Sequence, residues 1–152
     1  MLCYTVKGKE DVPMTYQSNS PAQTRDFAKQ FAKTLQVGEF LAFTGDLGAG
    51  KTCFISGIAE AFGCIDHASS PTFAIVNYYR GERPLCHFDM YRIDVDSLED
   101  TGFYDYLDEG VTIACEWCEN IESEIPDNAI YVDIQKGDAE NERIITITGG
   151  NE

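Results

Sequence analysis

The chain has 152 residues, 43% of them hydrophobic and 24% charged, which predicts one globular domain with a buried core of ordinary size. Its 26 acidic residues outnumber the 11 Lys and Arg residues, and the net charge of −15 at pH 7 argues against unaided binding to DNA, RNA or anionic membranes. The sequence has neither a signal peptide nor an apolar stretch of the ~18 residues that span a bilayer, so we expect a cytoplasmic protein whose six cysteines are reduced thiols.

The first predicted elements precede a glycine-rich segment. Residues 1 to about 17 contain short alternating runs and are predicted to add one or two strands. A helix follows, because Ser20 can cap its first turn, Pro21 suits the first helical position and Gln23 completes a capping box. Apolar residues then recur at helical spacing, and Gly38 is predicted to end this helix.

A glycine-rich loop comes next, between a predicted strand and a predicted helix. The short apolar run 40–43 predicts a buried strand, and an apolar helical stripe that ends at Gly63 follows the loop. Sequence and context both fit the P-loop pattern in full. The residues of the loop are Gly45, Asp46, Leu47, Gly48, Ala49, Gly50, Lys51 and Thr52.

Each residue type in this loop suits the binding of a nucleoside triphosphate with Mg²⁺. The glycines allow backbone conformations in which several N–H groups converge on phosphate, and the helix that begins near Gly50 directs its positive end to the same place. Lys51 is predicted to reach the β- and γ-phosphates, and Thr52 to offer its hydroxyl to Mg²⁺. We therefore predict that residues 45–52 bind ATP.

The rest of the pattern predicts an α/β protein. Strands are predicted at 73–79, 85–89, 111–115, 129–134 and 143–148, with a helix over 96–107. This order favours the P-loop NTPase fold, in which a mostly parallel central sheet carries flanking helices, as one domain over residues 1–152. The two late strands are predicted to add an antiparallel edge to the sheet.

Two acidic residues stand at the ends of buried strands. Asp89 follows the apolar run 85–88, and Glu116 follows the run 111–115. The carboxyl ends of parallel strands form the ligand edge of an α/β sheet, where a P-loop requires acidic help with its metal ion. Both residues are therefore candidate site residues, and Glu116 stands where a Walker B acid is expected.

Other features leave two interpretations open or favour a structural one. Residues 70–73 are as typical of a switch loop beside the γ-phosphate as of a simple turn into a strand. Trp117 either covers the edge of the site or fills the core, and His87 is expected to pack on its strand. Cys115 and Cys118 have CxxC spacing, but no second pair accompanies them, so core packing is predicted instead of redox or zinc chemistry.

Taken together, four motifs in this order resemble the TsaE (YjeE) family, the ATPase of bacterial tRNA threonylcarbamoyladenosine biosynthesis. The resemblance covers about residues 18–148, with Thr24 in the helix before the loop and Arg143 in the last strand as further matches. The motifs are the loop 45–52, Ser70-Pro71-Thr72-Phe73, His87-Phe88-Asp89-Met90-Tyr91-Arg92 and Glu116-Trp117.

The resemblance implies a role for each of these residues. Thr52 and Glu116 would ligate Mg²⁺, while Asp89 would position or activate water, or lie next to the metal's own ligands. Lys51, Asp89 and Thr72 would form the catalytic set, with Thr72 in a switch loop that also contains Ser70. In addition, Thr24 and Arg143 would line the nucleotide pocket.

The resemblance also implies partners. Proteins of this family act with the TsaB–TsaD pair, where ATP hydrolysis supports repeated transfer of threonylcarbamoyl to adenosine 37 of tRNA. Homologues of TsaB and TsaD are therefore the expected partners, and tRNA is expected to be contacted only indirectly, through them.

Three other functions remain as alternatives. A small-molecule kinase of this size usually carries a basic lid, but the five arginines do not cluster beyond Arg80 and Arg83. A GTPase is disfavoured, because neither a DxxG motif after a strand nor an NKxD guanine-binding motif occurs. A nucleotide-gated binding module, in which hydrolysis is incidental, stays compatible with the sequence.

Overall fold

The structure is a computed structural model that describes residues 13–46, 48–66 and 75–149. Leu47, the segment 70–73 with Thr72, and most of the predicted N-terminal strands lie outside these residues. None of the described helices is long and apolar enough to cross a membrane. The described elements are β1 (Met14–Ser18), α1 (Pro21–Ala32), β2 (Phe40–Thr44), α2 (Lys51–Ala61), β3 (Val76–Tyr79), β4 (Leu85–Asp89), a 3₁₀ helix (Val95–Thr101), α3 (Phe103–Glu109), β5 (Thr112–Glu116), a second 3₁₀ helix (Cys118–Glu124), β6 (Ile130–Lys136) and β7 (Arg143–Gly149).

The described strands form one seven-stranded sheet in the order β1-β7-β6-β2-β5-β4-β3. Strands β6, β2, β5 and β4 run parallel at its centre, while β7, β1 and β3 are antiparallel to their neighbours. The predicted α/β class with a parallel centre and antiparallel edges is confirmed, although the sheet as a whole is mixed. The prediction for the two late strands was half wrong, because β6 pairs in parallel with β2 and only β7 is antiparallel.

Helix α1 begins as its sequence predicts. The Ser20 hydroxyl accepts a hydrogen bond from the Gln23 N–H at 3.1 Å, and Pro21 occupies the first turn. The Gln23 side chain accepts from the Asn19 N–H, one residue before the cap, and not from the Ser20 N–H, so the predicted capping box was wrong in its second hydrogen bond. The helix ends at Ala32, well before the predicted stop at Gly38.

The predicted helix over 96–107 is two short helices in the structure. Gly102 separates them in a left-handed conformation, with φ of 82°, which a continuous helix does not allow. Leu98 and Phe103 are both buried on the sheet, so each short helix still contributes an apolar side chain to the core. The predicted helical structure of this segment is confirmed, but the break at Gly102 was not predicted.

The sheet is covered on both faces. Alternating residues of each strand point to opposite faces, so Leu41 and Phe43 pack towards α1 and α2, while Phe40 and Ala42 pack towards α3 and the 3₁₀ helices.

The described cysteines are all free thiols. Cys115 and Cys118 are buried, and burial raises the pKa of the Cys115 thiol well above its usual value and that of Cys118 to about 12. The predicted core packing of this CxxC pair is confirmed.

Helices α1 and α2 approach most closely at Gly57. A Cβ atom at this position would lie 2.5 Å from the Arg25 carbonyl oxygen and 2.7 Å from the Ala28 Cβ. Alanine is the better helix former by about 1 kcal/mol. The overlap outweighs that gain, so we expect Gly57→Ala to lower the free energy of unfolding by about 1–3 kcal/mol.

Urea denaturation followed by circular dichroism measures this change. Ser56→Ala, on the same helix and without such an overlap, is the matched control and is expected to stay near the wild-type midpoint. An unchanged or raised midpoint for Gly57→Ala would contradict the close packing of the two helices.

Candidate functional site

The glycine-rich loop lies at the carboxyl edge of the parallel strands. It leaves β2 after Thr44 and enters α2 through Gly50, which precedes the first helical residue, Lys51. Gly45 has φ of 132°, and a Cβ atom there would lie 2.2 Å from the Ile134 carbonyl oxygen of β6. Only glycine fits at this position, so the loop is held tightly against the neighbouring strand.

Lys51 is buried at the base of the loop, with 5% of its surface exposed. Its ammonium group donates a hydrogen bond to the Gly45 carbonyl oxygen at 2.7 Å and lies 4.4 Å from the centre of the Trp117 ring. An ammonium group has three N–H donors, so this contact leaves donors that can bind an anion. The arrangement sets a positive charge inside the curve of the loop.

Trp117 has an unusual backbone conformation for a large side chain. Its φ of 57° lies in the left-handed region, and it is the only described residue other than glycine with a positive φ. The Tyr91 ring packs edge-on against its ring at a centroid distance of 5.0 Å. The partly buried Trp117 side chain packs against the core cluster around Phe88 and Phe103 as well as against the Lys51 ammonium, so it combines the two placements open in the sequence.

The two acids at the strand ends are neighbours in the sheet. Asp89, the last residue of β4, is paired in register with Glu116, the last residue of β5. Leu85 and Ala114 pack towards α1 and α2, and strand alternation therefore places Asp89 and Glu116 on that same face. Asp89 is half-buried and accepts from the Tyr91 N–H at 3.0 Å, whereas Glu116 is 5% exposed.

A buried hydrogen-bond chain reaches Glu116 from within the sheet. The ring of His87, which is fully buried, lies with Nε2 2.7 Å from Glu116 Oε2 and with Nδ1 3.0 Å from the Tyr79 hydroxyl. The expectation that His87 only packs on its strand is therefore incomplete. The HxD spacing of His87 and Asp89 is the signal that could have indicated this, since alternate residues of a strand share one face.

Arg143 and Thr24 occupy different surroundings. The Arg143 guanidinium donates from Nε to the Ala49 carbonyl oxygen at 2.9 Å, so it contacts the backbone of the loop. Thr24 is buried and its hydroxyl lies 2.7 Å from the hydroxyl of Ser18, between α1 and β1. The structure thus brings Arg143 to the loop and buries Thr24 between α1 and β1.

Two further cationic side chains lie near the loop and were not predicted as site residues. The ammonium group of Lys136, at the end of β6, would lie 3.8 Å from a Cβ atom at Gly48. Arg25 of α1 lies beside Cys53, which follows Thr52; burial raises the pKa of this thiol, and the Arg25 guanidinium opposes that shift. Both lie far from the loop in the sequence, and only the packing of β6 and α1 brings them near it.

The oxygen donors of the site fit Mg²⁺ in kind and number. No group of three or more His, Cys, Asp or Glu side chains within the described ranges is arranged to hold a metal ion. Mg²⁺ prefers oxygen ligands and commonly takes one or two from protein, with the others from phosphate and water. The Thr52 hydroxyl and the Glu116 carboxylate, the two predicted ligands, are oxygen donors of this kind.

The chain is similar to known proteins over most of its length. A model of the family described as "Threonylcarbamoyl adenosine biosynthesis protein TsaE" matches residues 18–145. The chain is 36% identical over 138 residues to the tRNA threonylcarbamoyladenosine biosynthesis protein TsaE of Bacillus subtilis, covering 90% of this chain and 87% of that protein. It is 36% identical to the protein of the same name in Rickettsia prowazekii, covering 85% of this chain and 90% of that protein.

A solved structure is similar over the same length. The crystal structure of Bacillus subtilis YdiB superposes with a TM-score of 0.77 at 30% sequence identity, covering 95% of this chain and 90% of that one. The family match and the relatives agree with the four ordered motifs of the sequence. The chain belongs to the TsaE family of threonylcarbamoyl adenosine biosynthesis proteins.

Proposed function

We propose that this chain binds ATP with Mg²⁺ in the loop 45–52, hydrolyses it slowly, and supports tRNA threonylcarbamoyladenosine synthesis together with homologues of TsaB and TsaD. The observation that carries the proposal is the convergence of Lys51 and the Asp89–Glu116 pair on one face of the sheet, at the edge where the glycine-rich loop lies. Family membership supports the pathway.

The loop and α2 supply the phosphate-binding part of this proposal. Helix α2 has 11 residues and no acidic side chain in its first turn, so its positive end is not neutralised locally. Because the chain carries a net charge of −15, the phosphates must be held by local groups. These are the loop N–H groups, the Lys51 ammonium and the metal.

The acids and hydroxyls supply the remaining roles. Thr52 and Glu116 would hold Mg²⁺, which neutralises charge on the phosphates when bound. Asp89 would orient the attacking water, and Arg143 would stabilise the loop through the Ala49 carbonyl. Thr72, predicted in the switch loop, would complete the catalytic set, and Thr24 would support the pocket from α1.

Arg80 and Arg83, the two arginines that could form the basic lid of a kinase, are engaged in contacts away from the loop. Arg80 forms an ion pair with Asp66 at 3.1 Å. Arg83 donates to the Leu35 carbonyl oxygen at 3.2 Å and lies 4.0 Å from the Phe62 ring, beyond the ends of α1 and α2. These contacts lie at the opposite edge of the sheet from the loop, so this arginine pair cannot close over a transferred phosphate there.

The proposal is tested by phosphate release. We expect slow release by the pure chain with ATP and Mg²⁺, and faster release after addition of the TsaB–TsaD pair from the same organism. The reason is that rapid P-loop hydrolysis commonly requires a cation at the γ-phosphate worth about 10³–10⁵ in rate. Of the chain's own arginines near the loop, Arg143 donates to the Ala49 carbonyl oxygen and Arg25 lies beside Cys53 of α2.

Each other outcome identifies an alternative. Rapid release that the pair leaves unchanged would contradict the partner-dependent function. Tight ATP binding with no release in either case would favour the nucleotide-gated module, and transfer of phosphate to a small-molecule acceptor would favour a kinase. The same assay with the Lys51→Met variant controls for contaminating ATPases.

Binding of tRNA by the isolated chain is a separate test. A filter-binding assay of the isolated chain with tRNA is expected to show no tRNA retained on the filter, because the net charge of the chain is −15.

A further inference from the structure

The Tyr79–His87–Glu116 chain is a buried polar arrangement beside the site. His87 is 0% exposed and Glu116 is 5% exposed, with 2.7 Å between His87 Nε2 and Glu116 Oε2. Burying an imidazole and a carboxylate is costly unless their hydrogen bonds are satisfied. Here three residues from three adjacent strands, β3, β4 and β5, satisfy each other.

With Glu116 ionised and His87 neutral, the chemistry of the three groups fixes the direction of both hydrogen bonds. An ionised carboxylate only accepts, so His87 must donate from Nε2 to Glu116. A neutral imidazole with its proton on Nε2 accepts at Nδ1, and the Tyr79 hydroxyl therefore donates to His87 Nδ1 at 3.0 Å. The Glu116 carboxylate thus selects the tautomer of His87, and the Tyr79 hydroxyl satisfies the remaining ring nitrogen.

The contact with His87 also gives the two oxygens of the Glu116 carboxylate different surroundings. The described contacts of Glu116 engage Oε2, which leaves Oε1 as the oxygen that can face a cation. The His87 side chain lies on the same sheet face as Glu116, but one pair of residues further from the loop. The imidazole of His87 therefore contacts the Glu116 carboxylate from the side that lies away from Lys51 and Thr52.

We propose that His87 is a positioning residue for Glu116: its Nε2–H orients the carboxylate so that the other oxygen binds Mg²⁺ in the nucleotide complex, and the Tyr79 hydroxyl holds the His87 ring in place through Nδ1. The inference rests on the proposed function of the loop as a site for ATP and Mg²⁺. Partners that orient a metal ligand in this way typically contribute about 10- to 100-fold to metal affinity.

The test separates metal binding from nucleotide binding. Binding of a fluorescent, non-hydrolysable ATP analogue is first measured with EDTA, and Mn²⁺ binding to the analogue complex is then measured by electron paramagnetic resonance. We expect His87→Leu to bind the analogue normally in EDTA but to require about 10-fold more Mn²⁺ for half-saturation. Tyr79→Phe is expected to shift the Mn²⁺ midpoint in the same direction by less.

Two variants distinguish positioning from packing. His87→Gln keeps an N–H donor near the position of Nε2, and we expect it to recover the wild-type Mn²⁺ midpoint to within about threefold. Thr112→Val is the matched control, because Thr112 is a buried polar residue at the far end of the same strand as Glu116. It is expected to leave the Mn²⁺ midpoint unchanged, even where it lowers the melting temperature.

The outcomes are distinguishable from a failure of the proposed function. A wild-type chain that does not bind the analogue would overturn the ATP site, and the inference with it. A folded His87→Leu or Tyr79→Phe variant with the wild-type Mn²⁺ midpoint, beside a wild-type chain that binds both analogue and Mn²⁺, would overturn the positioning role alone. Shifts in His87→Gln and Thr112→Val as large as the shift in His87→Leu would also overturn it, because they would indicate a general effect on the core.

Discussion

Replacing Lys51 is expected to abolish tight ATP binding while the fold persists. The ammonium group lies within the loop, with the Gly45 carbonyl oxygen at 2.7 Å and the Trp117 ring at 4.4 Å. A charge-assisted contact contributes about 1.5–3 kcal/mol, and Lys51 is proposed to contact two phosphates. We therefore expect ATP affinity to fall by about 100-fold or more in Lys51→Ala and Lys51→Met.

The second variant tests charge apart from packing. Lys51 is 5% exposed, so Lys51→Ala also removes a buried aliphatic stem, whereas Lys51→Met keeps most of that volume. Titration calorimetry is the suitable measurement, because the loss of the ammonium group beside Trp117 alters indole fluorescence by itself. Lys33→Ala, on the exposed surface after α1, is the charge-matched control. Wild-type ATP affinity in Lys51→Met would contradict the P-loop function.

Replacing Glu116 and Asp89 is expected to affect different steps. Removal of a metal ligand weakens metal binding, whereas removal of a group that orients water slows the chemical step. We therefore expect Glu116→Ala and Glu116→Gln to raise the Mg²⁺ concentration for half-maximal phosphate release by about 100-fold. Asp89→Ala is expected to lower turnover more than ATP affinity.

The buried environment of Glu116 determines which variant is informative. In Glu116→Ala the His87 Nε2–H loses its partner inside the sheet, a loss that costs about 1–3 kcal/mol of stability independently of the metal. Glu116→Gln retains an acceptor oxygen for His87 and removes the charge alone. Asp89→Asn is the matching change on the neighbouring strand. An unchanged Mg²⁺ midpoint in Glu116→Gln would mean that another group holds the metal.

Much of the candidate site could be predicted because its signals are local. The P-loop pattern occupies eight consecutive residues, and the strand before it and the helix after it follow from short periodic runs. Ser20 and Pro21 predicted the start of α1 for the same reason, since a helix cap involves neighbours in the chain. Asp89 and Glu116 were predicted at strand ends, and the structure pairs them across β4 and β5.

The limits of prediction appear where an interaction depends on the order of the strands. The parallel placement of β6 beside β2, which brings Gly45 against Ile134, has no local signal in either segment. The same holds for the break at Gly102, because a glycine within an apolar helical pattern is compatible with both a continuous and a broken helix.

By itself, the sequence determined the features from which the proposed chemistry follows: a loop with the P-loop pattern, a lysine within it, acids at the ends of buried strands and a strongly acidic composition. Only the tertiary structure decided which distant groups support that chemistry, namely Arg143 on the Ala49 carbonyl and the Tyr79–His87–Glu116 chain. The physical reason is that hydrogen bonds have a range of about 3 Å. Periodicity indicates the face of a strand on which a side chain lies, whereas register and strand order decide whether two side chains come within that range.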